Sequence, residues 1–149
     1  MAIDFRKFPQ LAGDGYEVTS PHDVNYNCIA FAAGVVDVWW DPLDRDGYYW
    51  PDDLPGDDCI DTLIMLYEGL GYDLCEDGSL DAKVEKVALF AIGNLYTHAA
   101  RQLPDGQWTS KLGKAEDIKH PRPESVAGDL YGRVVHFLER PRRSTLGES

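Results

Sequence analysis

The sequence predicts an α+β fold, with helices near the start packed on an antiparallel sheet built from the second half of the chain. Three observations carry this. Residues 27–34, Asn-Cys-Ile-Ala-Phe-Ala-Ala-Gly, are small and apolar nearly all round, as in a short helix enclosed on every side. Residues 57–70 place Ile60, Leu63, Ile64, Tyr67 and Leu70 on one helical face. From residue 84 onward the apolar runs are short, and Gly93-Asn94, Pro104-Asp105-Gly106 and later prolines separate them as turns separate strands. Helices followed by a run of strands read as α+β.

In order along the chain, residues 1–24 read as an irregular lead-in, with turns at Gly13-Asp14-Gly15 and Ser20-Pro21-His22-Asp23. Asp23 or Asn25 is placed to cap the first helix, because either side chain accepts backbone N–H bonds. Gly34 stops that helix, and packing must hold so short an element, since propensity alone would not. Residues 35–58 form a long loop rich in aspartate and aromatics, including Trp39, Trp40 and Trp50, and broken by Pro42, Pro51 and Pro55. Two readings of those aromatics stand: they plug the core from outside, or they cover a cleft and touch a substrate. A calcium loop is a weaker third reading, because the aspartate spacing does not match an EF-hand.

The second helix starts at Asp57 or Asp58, carries Cys59 as a small apolar residue, and ends at Gly69 and Gly71. Residues 72–75 alternate as a short strand. Residues 84–92 are apolar like a central strand, and 95–103 with 107–112 form a hairpin. Residues 113–128 read as a loop, 134–138 as the last strand and 141–149 as a flexible tail. The whole of 1–149 is expected to be one domain.

The bulk numbers exclude several classes. A formal charge of −12 leaves no basic face for nucleic acid, and the cluster Arg140-Pro141-Arg142-Arg143 is short enough to be simply solvated. Three cysteines, Cys28, Cys59 and Cys75, at unpaired spacings are neither a disulfide framework nor a zinc pattern. The first residues lack a signal-peptide core, and no apolar run is long enough for a bilayer. The expected setting is the reducing cytosol, or another cell reached without a cleaved signal, with no cofactor, no metal and no membrane partner.

The chemistry-bearing residues are Cys28 and His98. A thiol attacks carbonyls as its thiolate, and a helix N-terminus or a nearby imidazolium favours that form. If the 95–103 and 107–112 strands pair about Asp105-Gly106, then Ser110, Lys111 and Leu112 lie opposite His98, and alternation puts Ser110 on the same face as His98. Ser110 would then orient the imidazole, with Asp117 as the carboxylate best placed to substitute. The Cys28 N–H, helped by Asn25 or Asn27, would meet the oxyanion.

Asn27-Cys28-Ile29-Ala30-Phe31-Ala32, then Thr97-His98-Ala99-Ala100, then Ser110-Lys111-Leu112-Gly113, with His120-Pro121 and Tyr131-Gly132 after them, resembles the papain-like cysteine hydrolases. The likeness is nearest to small bacterial domains close to the NlpC/P60 group, some of which occur as toxin or effector modules. It departs from them in having Asn27-Cys28-Ile29-Ala30 where they often begin Asp-Cys-Ser-Gly, and Ser110 at the third position. The chain also resembles an uncharacterised bacterial domain family marked by Tyr26-Asn27-Cys28-Ile29-Ala30, paired tryptophans and Thr97 to Leu103. The resemblance implies a papain-like hydrolase of a peptide or protein amide, with Cys28 as nucleophile, His98 as base and acid, and Ser110 or Asp117 orienting. The acidic loop, with Asn25, Asn27, Trp39, Trp40 and Trp50 as substrate contacts, would form a wall suited to a cationic substrate. A binding or inhibitor module on the same fold is the alternative, and a metal-dependent enzyme built on the aspartates is a third class.

Overall fold

The apolar alternation from residue 84 onward supplies most of one antiparallel sheet, with the helices at 28–32 and 60–68 packed on one face and the short helix at 11–14 on the other. The computed structural model describes residues 8–20, 26–34, 40, 50–51, 53–112, 117–128 and 130–142. Asn25, Trp39, most of the aspartate loop and residues 143–149 lie outside the described residues. The elements are α1 (Leu11–Asp14), β1 (Glu17–Ser20), α2 (Cys28–Ala32), α3 (Ile60–Glu68), β2 (Asp73–Cys75), β3 (Val84–Ile92), β4 (Leu95–Gln102), β5 (Trp108–Lys111), β6 (Asp117–His120), a 3-10 turn (Pro123–Val126) and β7 (Arg133–Pro141). Among the described residues the sheet runs β1-β6-β5-β4-β3-β7-β2, every pairing antiparallel. The α+β expectation therefore holds, with more strand and less helix than the sequence suggested.

Three expectations fail locally. The lead-in is not irregular throughout, because α1 and β1 form within it. The loop expected over 113–128 contains β6, which pairs β1 on one side and β5 on the other. The last strand is also longer than expected: Pro141 ends β7, and the Arg142 N–H donates to the Lys83 carbonyl instead of starting a free tail.

Strand alternation divides the core in two. Val87 and Leu89 of β3 face α2 and α3, in a cluster with Ile29, Ala30, Leu63, Leu66 and Tyr67. Ala88 and Phe90 face the other way, with Phe8, Leu11, Trp108, Ile118 and Tyr131. The Tyr67 hydroxyl donates to the Ile29 carbonyl at 2.8 Å and ties α3 to α2. A register shift between Phe90 and Ala91 marks a bulge opposite Thr97 and His98. Tyr96 and Ala99 both join the α2-side core as a result, while Thr97 donates to the Tyr131 carbonyl and His98 stacks on the Tyr131 ring. Gly132 fixes that corner: its φ is 73°, and a Cβ there would lie 2.2 Å from the Ala91 carbonyl oxygen.

Candidate functional site

On the first face, Cys28 opens α2. Asn27 caps the helix, its Oδ1 accepting the Ala30 N–H at 3.2 Å. The same side chain holds Trp40 twice, accepting its N–H at 3.2 Å and donating to its carbonyl at 2.7 Å. Asn27 is thus a structural clamp, with its polar atoms directed at backbone groups. Cys28 is 9% exposed. Burial pushes its thiol up to about 11, against the pull of the Ala99, Ile29 and Cys28 N–H groups and the Lys111 ammonium. Nearby, Lys111 and Asp117 face each other at 3.8 Å, both buried. The Tyr26 hydroxyl donates to Asp117 at 2.5 Å, and the Lys111 ammonium lies 4.8 Å from the Tyr26 ring centroid.

On the second face, His98 is fully buried between Phe90 and Tyr131, stacked on the Tyr131 ring at 4.1 Å. Its Nε2 meets Ser110 Oγ at 3.0 Å, Ser110 Oγ meets His120 Nε2 at 2.7 Å, and His120 Nδ1 meets the Arg122 carbonyl at 2.8 Å. Burial, and then His120, hold His98 well below the ordinary histidine range. Burial holds His120 at about 4.

Ser110 does hydrogen-bond His98 on one face, as alternation required. The Cys28–His98 dyad does not assemble. Cys28 packs with Ala99 and the α2-side core, whereas His98, one residue away in unbroken alternation and paired with Phe90, faces the opposite core. Neither ring nitrogen bonds the thiol: Nε2 is taken by Ser110, and Nδ1 has no partner among the described residues. Asp117 does not orient His98 either, because it belongs to the Cys28 face with Lys111 and Tyr26.

Trp50 plugs the core, its Nε1 donating to the Pro55 carbonyl at 2.9 Å and its ring stacked on Tyr96. Trp40 is buried against Asn27 but also lines a groove of about 240 Å³ with Pro51, Asp53, Leu54, Met65 and Leu70. Among the described residues no three His, Cys, Asp or Glu side chains converge as metal ligands, and no helix is long and apolar enough to cross a membrane.

Sequence reasoning missed His120, read there as part of a proline-rich loop, and the Lys111–Tyr26 contact. The signal for His120 was present: Ile118 and His120 alternate with Asp117 and Lys119, as in a strand with one buried face.

A family model described as "Domain of unknown function (DUF7689)" matches residues 17–139. No curated protein and no solved structure matches the chain.

Proposed function

The chain belongs to the DUF7689 family, and from that premise we propose that it is a binding module on a papain-like layout, taking an apolar side chain of a cationic peptide or protein segment into the Trp40–Leu70 groove. The observation that carries this reading is the groove itself. Trp40, Pro51, Asp53 and Leu54 line it together with Met65 and Leu66 of α3 and Leu70 just after that helix. Met65 is 40% exposed although it lines an apolar surface. A basic segment fits the charge: the chain carries −12 overall, and Asp53 is among the lining residues.

The papain-like part rests on the placement of Cys28 at the first turn of a helix packed against β4 and β5. Hydrolysis through Cys28 and His98 requires both on one face, and the intervening sheet argues against it. A thiol pushed up to about 11 is not a ready nucleophile at neutral pH.

Fluorescent peptides with one Leu, Phe or Trp between lysines and arginines test the groove, against equally charged peptides lacking the apolar residue. Gly69 also lines it, and a Cβ there meets nothing closer than 3.4 Å. A Cβ at Gly69 is thus accommodated in ordinary contact, and Gly69→Leu adds apolar bulk at the groove lining. Burying one apolar side chain is worth ~1.5–3 kcal/mol, so the variant should weaken binding roughly tenfold or more. Equal affinity for both peptide sets, or peptide cleavage that Cys28→Ala abolishes, would contradict the proposal.

A further inference from the structure

The Arg122 carbonyl sets the direction of the buried hydrogen-bond chain on the second face. A carbonyl only accepts, so His120 carries its proton on Nδ1. His120 Nε2 is then a bare lone pair and takes the Ser110 hydroxyl proton. Ser110 Oγ in turn accepts from His98, which must carry its proton on Nε2. His98 Nδ1 ends the chain as a buried lone pair with no partner among the described residues. Every donor in this neutral chain is used, and only one acceptor is left over.

An added proton breaks the arrangement wherever it lands. On His120 Nε2 it converts an acceptor into a donor facing the Ser110 hydroxyl, whose own hydrogen then has no free acceptor within the chain. On His98 Nδ1 it creates an N–H with no acceptor among the described residues. Either site puts a charge among Phe90, Trp108 and Tyr131 and leaves a buried donor unpaired.

The chain ends where one corner of the molecule is attached. Arg122 precedes the 3-10 turn, and its guanidinium Nε donates to Asp14 Oδ2 at 2.7 Å. The Ser125 hydroxyl donates to the same Asp14 oxygen at 2.8 Å. Asp14 is the last residue of α1, whose Leu11 enters the second core. We propose that the His98–Ser110–His120 chain is an acid-sensitive latch, whose protonation releases the corner made by α1 and the 3-10 turn while the central sheet stays folded.

The titratable and charged groups facing the latch are Asp14 from α1, Arg122 from the segment after β6 and Tyr131 from the segment before β7. Phe90 of β3 and Trp108 of β5 add none. Lys111, Asp117 and Lys119 project from the other face of β5 and β6. Asp14 favours the charged form of His120, but burial outweighs it and holds His120 at about 4. His98 lies well below its ordinary value for the same reason. Native histidines therefore bind fewer protons than released ones between about pH 6.5 and 4, and the released form gains as pH falls through that window.

Native-state hydrogen exchange on the full chain, read by NMR and corrected for intrinsic rates, tests the latch. The Asp14, Gly15, Ser125 and Ala127 amides each donate within the corner. Their opening should rise at least about tenfold from pH 6.5 to pH 5, while Leu89 in β3 keeps its protection. Corner opening that ignores pH, or equal loss at Leu89, would overturn the latch. His120→Gln cannot gain charge, so its acid response should shrink to that of His98 alone, and an unchanged response counts against the proposal. Long-range imidazole 15N spectra of the wild-type chain at pH 7 need no variant. They should show the Nδ1–H tautomer for His120 and the Nε2–H tautomer for His98, and the opposite pair would refute the chain's direction.

Discussion

Beneath α2, the sheet buries charge against charge: Lys111 beside Asp117, with the Tyr26 hydroxyl on the same carboxylate. Behind that sheet it buries three neutral groups, His98, Ser110 and His120, in a chain ending on a backbone carbonyl. Both clusters use β5, with Lys111 turned one way and Ser110 the other. The difference teaches that neighbouring residues on one strand can serve unrelated polar networks. It also explains why Cys28 and His98 fail to meet, although each sits in the kind of element a thiol hydrolase would use.

The charged face should break hardest when half of it is removed. Lys111→Met takes the Lys111 ammonium from beside the buried Asp117 and should cost ~3–5 kcal/mol in urea unfolding. Adding Asp117→Asn should return part of that loss. A single substitution costing under about 1 kcal/mol would mean that water reaches the carboxylate.

The neutral face should break with acid. Its histidines have lowered native values, so their contribution is complete above about pH 6.5 and is lost as pH falls toward 4. For His120 alone the drop from 6.5 to about 4 corresponds to ~3 kcal/mol. Carboxylates that hydrogen bonds hold low, such as Asp14, Asp57, Asp77 and Asp105, respond only below their ordinary 3.8. Denaturant midpoints at pH 7, 6 and 5 separate the two groups, and a flat profile over that range would contradict neutral buried histidines. Smaller again is Ser110→Ala, which strips both imidazoles of a partner. It should cost ~1–3 kcal/mol at pH 7, and thermal unfolding reads it. Gly69→Leu should leave stability nearly unchanged, since it touches neither cluster.

Much of this was legible in residue order. The 3.6-residue period marks α3, the enclosed run at 28–32 marks α2, and the turns Gly93-Asn94 and Asp105-Gly106 frame β3, β4 and β5. The Ser110–His98 contact follows from alternation alone. What escaped was long-range or parity-dependent. Glu17–Ser20 and Asp117–His120 are four residues each, and they pair with each other from opposite ends of the chain, so neither carries much local signal. The bulge at Thr97–His98 shifts the strand's facing by one residue, and no pattern in Tyr-Thr-His-Ala announces it. The extra residue there turns Tyr96 toward the Cys28 side, while His98 keeps the alternation of Ala99 and Ala100 and so faces away from Cys28.

The most direct test of that separation is the rate at which iodoacetamide alkylates Cys28, followed by peptide mapping from pH 5 to pH 9. Cys28 should label no faster than Cys59 or Cys75, show no reactive thiolate at mildly acidic pH, and follow the same curve in His98→Gln. Fast Cys28 labelling at pH 5–6 that His98→Gln abolishes would place thiol and imidazole together and contradict the account.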